Sequence, residues 1–203
     1  MIFPSVQFAI FFTLVLPLSW LLMKRPTLWK PFIVAASYIF YGAASWSFCF
    51  LLAGVTAGNQ LAAVLIQRTT REHQKSVILA IAVALDLGVL GVFKYYGFFS
   101  QQLSDALHGL GLGMPLPLVQ LALPVGISFF TFQAISYVVD VKRGLLTPAR
   151  PLDVAVYLSF FPHLIAGPIV RYVDVAPQIE NRSVDLDGFA DGARRFVLSV
   201  QLD

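Results

Sequence analysis

An imidazole, a guanidinium and a break in the backbone fall together in Phe160-Phe161-Pro162-His163-Leu164-Ile165-Ala166-Gly167-Pro168-Ile169-Val170-Arg171-Tyr172. Pro162, Gly167 and Pro168 deny this apolar run a continuous helix. A helix broken at membrane depth is tolerated only where it is buried in protein or lines a wet cavity. His163 beside the break could act as acid, base or hydrogen-bond donor, and Arg171 could clamp a phosphate or carboxylate. The same two residues also have purely structural uses, the histidine capping a kinked helix and the arginine snorkelling to the interface. A second set, Gln133, Ser136 and Asp140, falls on one helical face and either lines a cavity or hydrogen-bonds to neighbouring helices. Asp86 lies near the middle of an apolar stretch, where an acidic side chain costs about 2.5–3.5 kcal/mol on insertion scales and must face protein or water. It is either a functional acid or a hydrogen-bonded clasp between two helices, with a partner that spacing does not name. His73 and His108 fall in expected loops.

Standard catalytic motifs are absent: no P-loop, no Gly-x-Gly-x-x-Gly after a strand, no His-Glu-x-x-His and no Gly-x-Ser-x-Gly. The single cysteine, Cys49, excludes a disulfide framework and a Cys-rich metal centre, and no metal site is expected. The chain is 58% hydrophobic and 12% charged, against about 45–50% apolar and about 25% charged residues in soluble domains. Hydrocarbon is therefore its expected solvent and the lipid bilayer its first partner. A net charge of +3 does not indicate nucleic acid, because Lys and Arg sit at the ends of apolar segments, as in cytoplasmic loops.

The elements that must position these groups are membrane helices. Residues 6–23 read as a retained first helix containing Pro17, followed by Lys24, Arg25 and Lys30. Residues 31–66 would reach about 54 Å as one helix, too long for a hydrocarbon core of about 30 Å. Tyr41-Gly42-Ala43-Ala44-Ser45-Trp46 supplies the turn of a hairpin, which places both basic flanks on one side, with Arg68, Arg71 and Lys75 following. Residues 76–93 then cross outward to the aromatic belt Lys94-Tyr95-Tyr96-Gly97-Phe98-Phe99, and residues 101–117, which lack Lys and Arg, read as an external loop. Residues 118–139 return to Lys142, Arg143 and Arg150, and residues 152–170 form a last run that is spanning or re-entrant. An amphipathic helix over 186–200 carries Phe189, Ala193, Phe196, Val197 and Val200 at helical spacing. The expected fold is an all-α, polytopic transmembrane bundle of about five to six hydrophobic helices with its N-terminus outside.

Four motifs carry a family resemblance: Phe93-Lys94-Tyr95-Tyr96-Gly97-Phe98-Phe99, Leu123-Pro124-Val125-Gly126-Ile127-Ser128-Phe129-Phe130-Thr131-Phe132-Gln133, Ser136-Tyr137-Val138-Val139-Asp140-Val141, and the broken segment 160–172. On these the chain resembles the N-terminal part of the membrane-bound O-acyltransferases, most of all the alginate O-acetylase branch. The resemblance implies half of a ring of helices around a funnel, in an inner-membrane enzyme that moves an acetyl group onto a hydroxyl of an extracytoplasmic polysaccharide such as alginate. It implies an acyl donor, acetyl-CoA or an acyl carrier, with no bound cofactor, and other polysaccharide-acetylation proteins as partners. D-alanyl transfer to teichoic acid is the alternative within the class. A non-catalytic scaffold or transport-type subunit of polysaccharide assembly is the alternative outside it. The family's catalytic histidine lies in a later half with no counterpart here, so no catalytic residue is assigned. His163, Pro162, Gly167, Pro168, Arg171, Gln133, Ser136, Asp140 and Asp86 are the funnel candidates. After Arg195-Phe196 the chain departs from the family's continuation, which reads as a truncated product, inactive alone.

Overall fold

The structure is a computed structural model that describes residues 6–43, 45–109, 126–166 and 168–180 with positions 192 and 194, the side chains of 96–109, 165 and 166 excepted. Every regular element among the described residues is helical: α1 (Val6–Leu22), α2 (Pro26–Gly42), α3 (Trp46–Arg68), α4 (Glu72–Gly109), α5 (Ile127–Lys142), α6 (Pro151–Ser159), α7 (Phe161–Ala166) and α8 (Tyr172–Glu180). Two of them are long and apolar enough to cross a bilayer, α3 and the Glu72–Tyr95 part of α4, while α1 is a shorter apolar helix. Large apolar side chains point outward from α1 and α4, among them Val6, Leu21, Ile81, Leu85 and Val92. That face suits hydrocarbon and would be a liability in water.

The hairpin expected at residues 41–46 is present, with Ser45 extended at φ −167° and ψ 133° ahead of α3. Pro26 opens α2 in its first turn, where a missing N–H costs nothing. Three boundaries differ from those expected. Helix α4 does not stop at the aromatic belt but runs on to Gly109. The residues after Gly97, with Gln101, Gln102, Leu103, Ala106 and Leu107, are good helix formers and contain no proline, so helix replaces the expected start of the 101–117 loop. Helix α5 begins only at Ile127, behind Gly126 in the left-handed conformation at φ +74°; residues 118–125 of the expected crossing lie outside the described residues. The last apolar run breaks in its second half as expected, α7 ending at Ala166 with residues 168–171 non-helical, and it also breaks earlier, at Phe160, because Pro162 cannot follow three helical residues without striking the Leu158 carbonyl. Pro162 then sits harmlessly in the first turn of α7. The amphipathic helix expected over 186–200 lies outside the described residues, apart from Gly192 and Arg194, which are helical and exposed.

Helix α3 is central, packing on α2, α4, α5 and α6. Leu52 and Ala63 of α3, Ala134, Tyr137 and Val138 of α5, and Val154 and Leu158 of α6 have no exposed surface. A second cluster ties α1 and α2 to α7: Phe161 packs against Phe11 at 5.3 Å and Phe40 at 5.6 Å between ring centroids. Ser37 Oγ donates to the Ile33 carbonyl at 2.8 Å and accepts the Phe161 N–H at 3.4 Å, serving the start of the helix that the break creates.

Gly126 is where the glycine motif and the broken segment meet. A Cβ added there would lie 2.6 Å from the Leu164 carbonyl oxygen, so the two backbones are in direct contact. Gly144 has a similar φ of +73° but open space around it. Gly126→Ala is therefore expected to cost more than Gly144→Ala. The latter should lose only the left-handed penalty of about 1–2 kcal/mol, and the former that penalty plus a displacement of α7. Unfolding of both variants in detergent, followed by circular dichroism, measures the difference, and equal losses would refute the contact.

Candidate functional site

The polar stripe of α5 meets the broken segment. Gln133 and Asp140 are buried and Ser136 half-buried. Ser136 Oγ donates to the Gln133 carbonyl at 2.8 Å and lies 3.5 Å from Tyr157 Oη. Tyr157, on α6, donates its hydroxyl to the Val170 carbonyl at 2.7 Å, so it holds the non-helical stretch ahead of Arg171 against α5. Arg171 completes the junction with two bonds to Asp140, Nε to Oδ2 at 3.1 Å and Nη2 to Oδ1 at 2.5 Å. The Asp140 side chain is 3% exposed and that of Arg171 45%. The hydrogen bond and the charge of Asp140 hold the guanidinium proton more firmly than in a free arginine. The planar fork matches the carboxylate edge, as an Arg–Asp pair requires.

His163 lies on α7, half-buried, its ring edge-on to Phe160 at 5.0 Å. It faces a cavity of about 80 Å³ with Tyr157, Val175, Gln178 and Ile179. Among the described residues no acidic side chain pairs with its ring. Pro162 borders a separate apolar cleft against α1, with Phe12 and Trp20. Pro168 is exposed, and Gly167 lies outside the described residues. Asp86 stands apart from this junction and takes a hydrogen bond at 3.0 Å from Asn59 Nδ2 of α3. The structure thus gathers Gln133, Ser136, Asp140 and Arg171 around Tyr157, sets His163 beside that hydroxyl's helix, and leaves Asp86 with a different partner.

Several residues that spacing did not single out bind the site together. Lys30, expected as an ordinary loop charge, is 9% exposed and pairs with Asp153, 3% exposed, at 2.5 Å between Nζ and Oδ1. The pair fixes α2 to α6. Tyr137, Gln60 and Ala149 close a ring: Tyr137 Oη donates to Gln60 Oε1 at 2.9 Å, Gln60 Nε2 to the Ala149 carbonyl at 2.8 Å, and the Ala149 N–H to Tyr137 Oη at 3.1 Å. Tyr172 packs edge-on to both Tyr137 and Tyr157, at 5.5 and 5.3 Å. The one signal that could have flagged Lys30 is its place directly before Pro31 and a long apolar run, with Asp153 similarly placed behind Pro151.

A polar cavity of about 720 Å³ opens beside the Lys30–Asp153 pair, with Thr147, Arg150, Tyr172 and Glu180 in its wall. The Tyr172 hydroxyl is buried without a hydrogen-bond partner among the described residues. This arrangement offers donors of both charged and neutral kinds to an oxygen-rich ligand, but no nucleophile–base pair. Among the described residues no three His, Cys, Asp or Glu side chains could hold a metal ion.

Removing one member of a buried pair strands the other. Asp153→Ala is expected to destabilise the protein by about 3–5 kcal/mol, whereas Lys30→Met with Asp153→Leu should cost clearly less, since neither charge is left behind. At the other pair, Arg171→Ala leaves a buried carboxylate and should lower the melting temperature further than Asp140→Ala, which leaves an arginine able to reach water. Thermal melts of the four variants in one detergent test both rankings, and a reversal of either would contradict the pairing described.

Comparison with known proteins returns a consistent set. Over 170 residues the chain is 41% identical to the probable alginate O-acetylase AlgI of Pseudomonas aeruginosa, covering 81% of this chain and 32% of that protein. It is 30% identical over 185 residues to the peptidoglycan O-acetyltransferase of Helicobacter pylori, covering 79% and 34%. It is 28% identical over 105 residues to the teichoic acid D-alanyltransferase of Lacticaseibacillus rhamnosus, covering 51% and 22%. No family model matches the chain, and no solved structure does. The chain spans about a third of the length of the curated relatives it matches. On the motifs at residues 123–141 and 160–172, and on about 40% identity across four fifths of its length to proteins named alginate O-acetylase, the chain belongs to the membrane-bound O-acyltransferase family.

Proposed function

We propose that the chain is the N-terminal part of a polytopic inner-membrane O-acyltransferase that places acetyl groups on hydroxyls of an extracytoplasmic polysaccharide, alginate being the first acceptor to test. The observation that carries the reading is the identity of about 40% to several alginate O-acetylases over 81% of the chain. The geometry supports it: the two motifs most specific to the resemblance touch at Gly126 and Leu164, and the second is pinned through Tyr157 and Arg171. Together they build one wall of the funnel.

Acyl transfer needs a base for the hydroxyl proton, a donor site and an acceptor path. Among the described residues there is no nucleophile–base pair, so in this reading the base belongs to the later half of the family's fold, and the chain alone is inactive. The donor, acetyl-CoA or an acyl carrier, approaches from the cytoplasm. By the positive-inside rule Lys30, Arg68 and Arg150 lie on that side and the N-terminus lies outside. The polar cavity lined by Lys30, Arg150 and Tyr172 then opens toward the donor. Other polysaccharide-acetylation proteins cover the outer face and receive the acyl group or the polymer. The second reading, D-alanyl transfer to teichoic acid, draws on the similarity to the Lacticaseibacillus protein. A non-catalytic scaffold role is named for none of these relatives.

A Pseudomonas aeruginosa strain lacking AlgI provides the test. The chain alone should restore no alginate acetyl groups, and a chimaera in which it replaces the matching third of AlgI should restore them, read as acetyl released by mild base. Acetylation by the chain alone would overturn the inactivity, and a stable but inert chimaera would overturn the acceptor assignment in favour of D-alanyl or peptidoglycan acceptors assayed in parallel.

A further inference from the structure

We propose that the groove between α3 and α4 seats a further transmembrane helix, one that brings a hydrogen-bond-donating side chain to the level of Asp86. The groove measures about 520 Å³ and is walled by apolar side chains such as Leu61, Ile81 and Leu85. Among the described residues its only polar lining residues are Asn59 and Asp86, 3% and 5% exposed. The inference is independent of which acyl group the protein transfers.

Two observations define the occupant. First, the polar pair is incomplete in a particular sense. Asn59 Nδ2 donates to Asp86 Oδ1 at 3.0 Å and to the Val55 carbonyl at 3.0 Å, so both amide hydrogens are used. Asp86 Oδ2 and Asn59 Oδ1 have no partner among the described residues. With Asp86 ionised both unmet atoms are acceptors, and the missing group is then a donor. A lipid tail has none, and water is scarce in hydrocarbon. Second, Gly54 and Gly58 are one helical turn apart on the same wall, and a Cβ at either would meet nothing within 4 Å. Small residues at this spacing let a second backbone come close. A helix bearing Gln, Asn, Ser or a similar donor meets both demands, whereas an acyl chain meets only the apolar one.

The chain is tested with Cys49→Ser and Leu61→Cys, since Cys49 is its single cysteine and Leu61 stands exposed on the groove rim. A donor fluorophore on residue 61 is reconstituted in phosphatidylcholine vesicles with an acceptor-labelled synthetic polyleucine helix that carries one central Gln, or Leu in its place. The Gln peptide is expected to give half-maximal energy transfer at about a tenfold lower peptide-to-lipid ratio, the scale of one interhelical hydrogen bond. Asp86→Leu should erase the difference between the two peptides. Gly58→Leu, at a position where an added Cβ meets nothing within 4 Å, should abolish transfer to both. Equal transfer to the two peptides, or indifference to Gly58→Leu, would overturn the proposal and leave the groove as a lipid face with a pair closed by a proton on Asp86. Transfer between labelled copies of the chain without peptide, lost in Gly58→Leu, would also overturn it by making a second copy the occupant.

Discussion

Backbone meets backbone where the start of α5 touches α7, and most of the site's geometry follows from that contact. Only glycine fits at residue 126, both because φ is +74° and because the Leu164 carbonyl occupies the place of a Cβ. Once α7 is held at that distance, the chain leaving it must cross the face of α5. Tyr157 then finds the Val170 carbonyl, and Arg171 finds Asp140. A membrane interior permits irregular backbone only where its polar groups are served by protein, and here a tyrosine hydroxyl and a serine hydroxyl provide that service at the two ends of the break.

Charge is handled by pairing. Lys30 with Asp153 and Arg171 with Asp140 each join two elements that are far apart in sequence, α2 to α6 and α5 to the segment before α8. In a low-dielectric setting such pairs add little net stability over an apolar substitute, yet they penalise every arrangement that separates them. Their contribution is to register: α6 cannot slide along α2, nor α8 along α5, without exposing a lone charge to hydrocarbon. The Tyr137–Gln60–Ala149 ring does the same with neutral groups, anchoring the linker between α5 and α6 to α3. The wall so formed joins α2, α3, α5 and α6, with α4 packed on α3 and α5, and its loosest packing is at α1, where Val15 is the one buried residue.

The helical class, the hairpin at residues 41–46 and the broken last run were legible from hydropathy, helix length and the positions of Gly and Pro. These signals are local, and bilayer thickness turns them into a count of turns. Boundaries read from charge and aromatic content fared worse. The aromatic belt at Lys94–Phe99 marks where an interface would lie, not where a helix must end, so α4 runs through it. Besides the expected break after Ala166, a first break comes at Phe160 because the proline acts on the turn that precedes it.

For the site, the sequence by itself determined which residues could not be ordinary lipid-facing positions: Asp86, the stripe Gln133, Ser136 and Asp140, and the segment from Pro162 to Arg171. Their chemistry is too costly in hydrocarbon to be unpartnered, and that holds whatever the fold. Only the tertiary structure decided the partners. Asn59 for Asp86, Arg171 for Asp140, Asp153 for Lys30 and Tyr157 for Val170 are separated by 13 to 123 residues, and no periodicity spans such distances. Pairing of this kind is fixed by how helices pack, and packing depends on the shapes of whole faces rather than on the residues that finally touch.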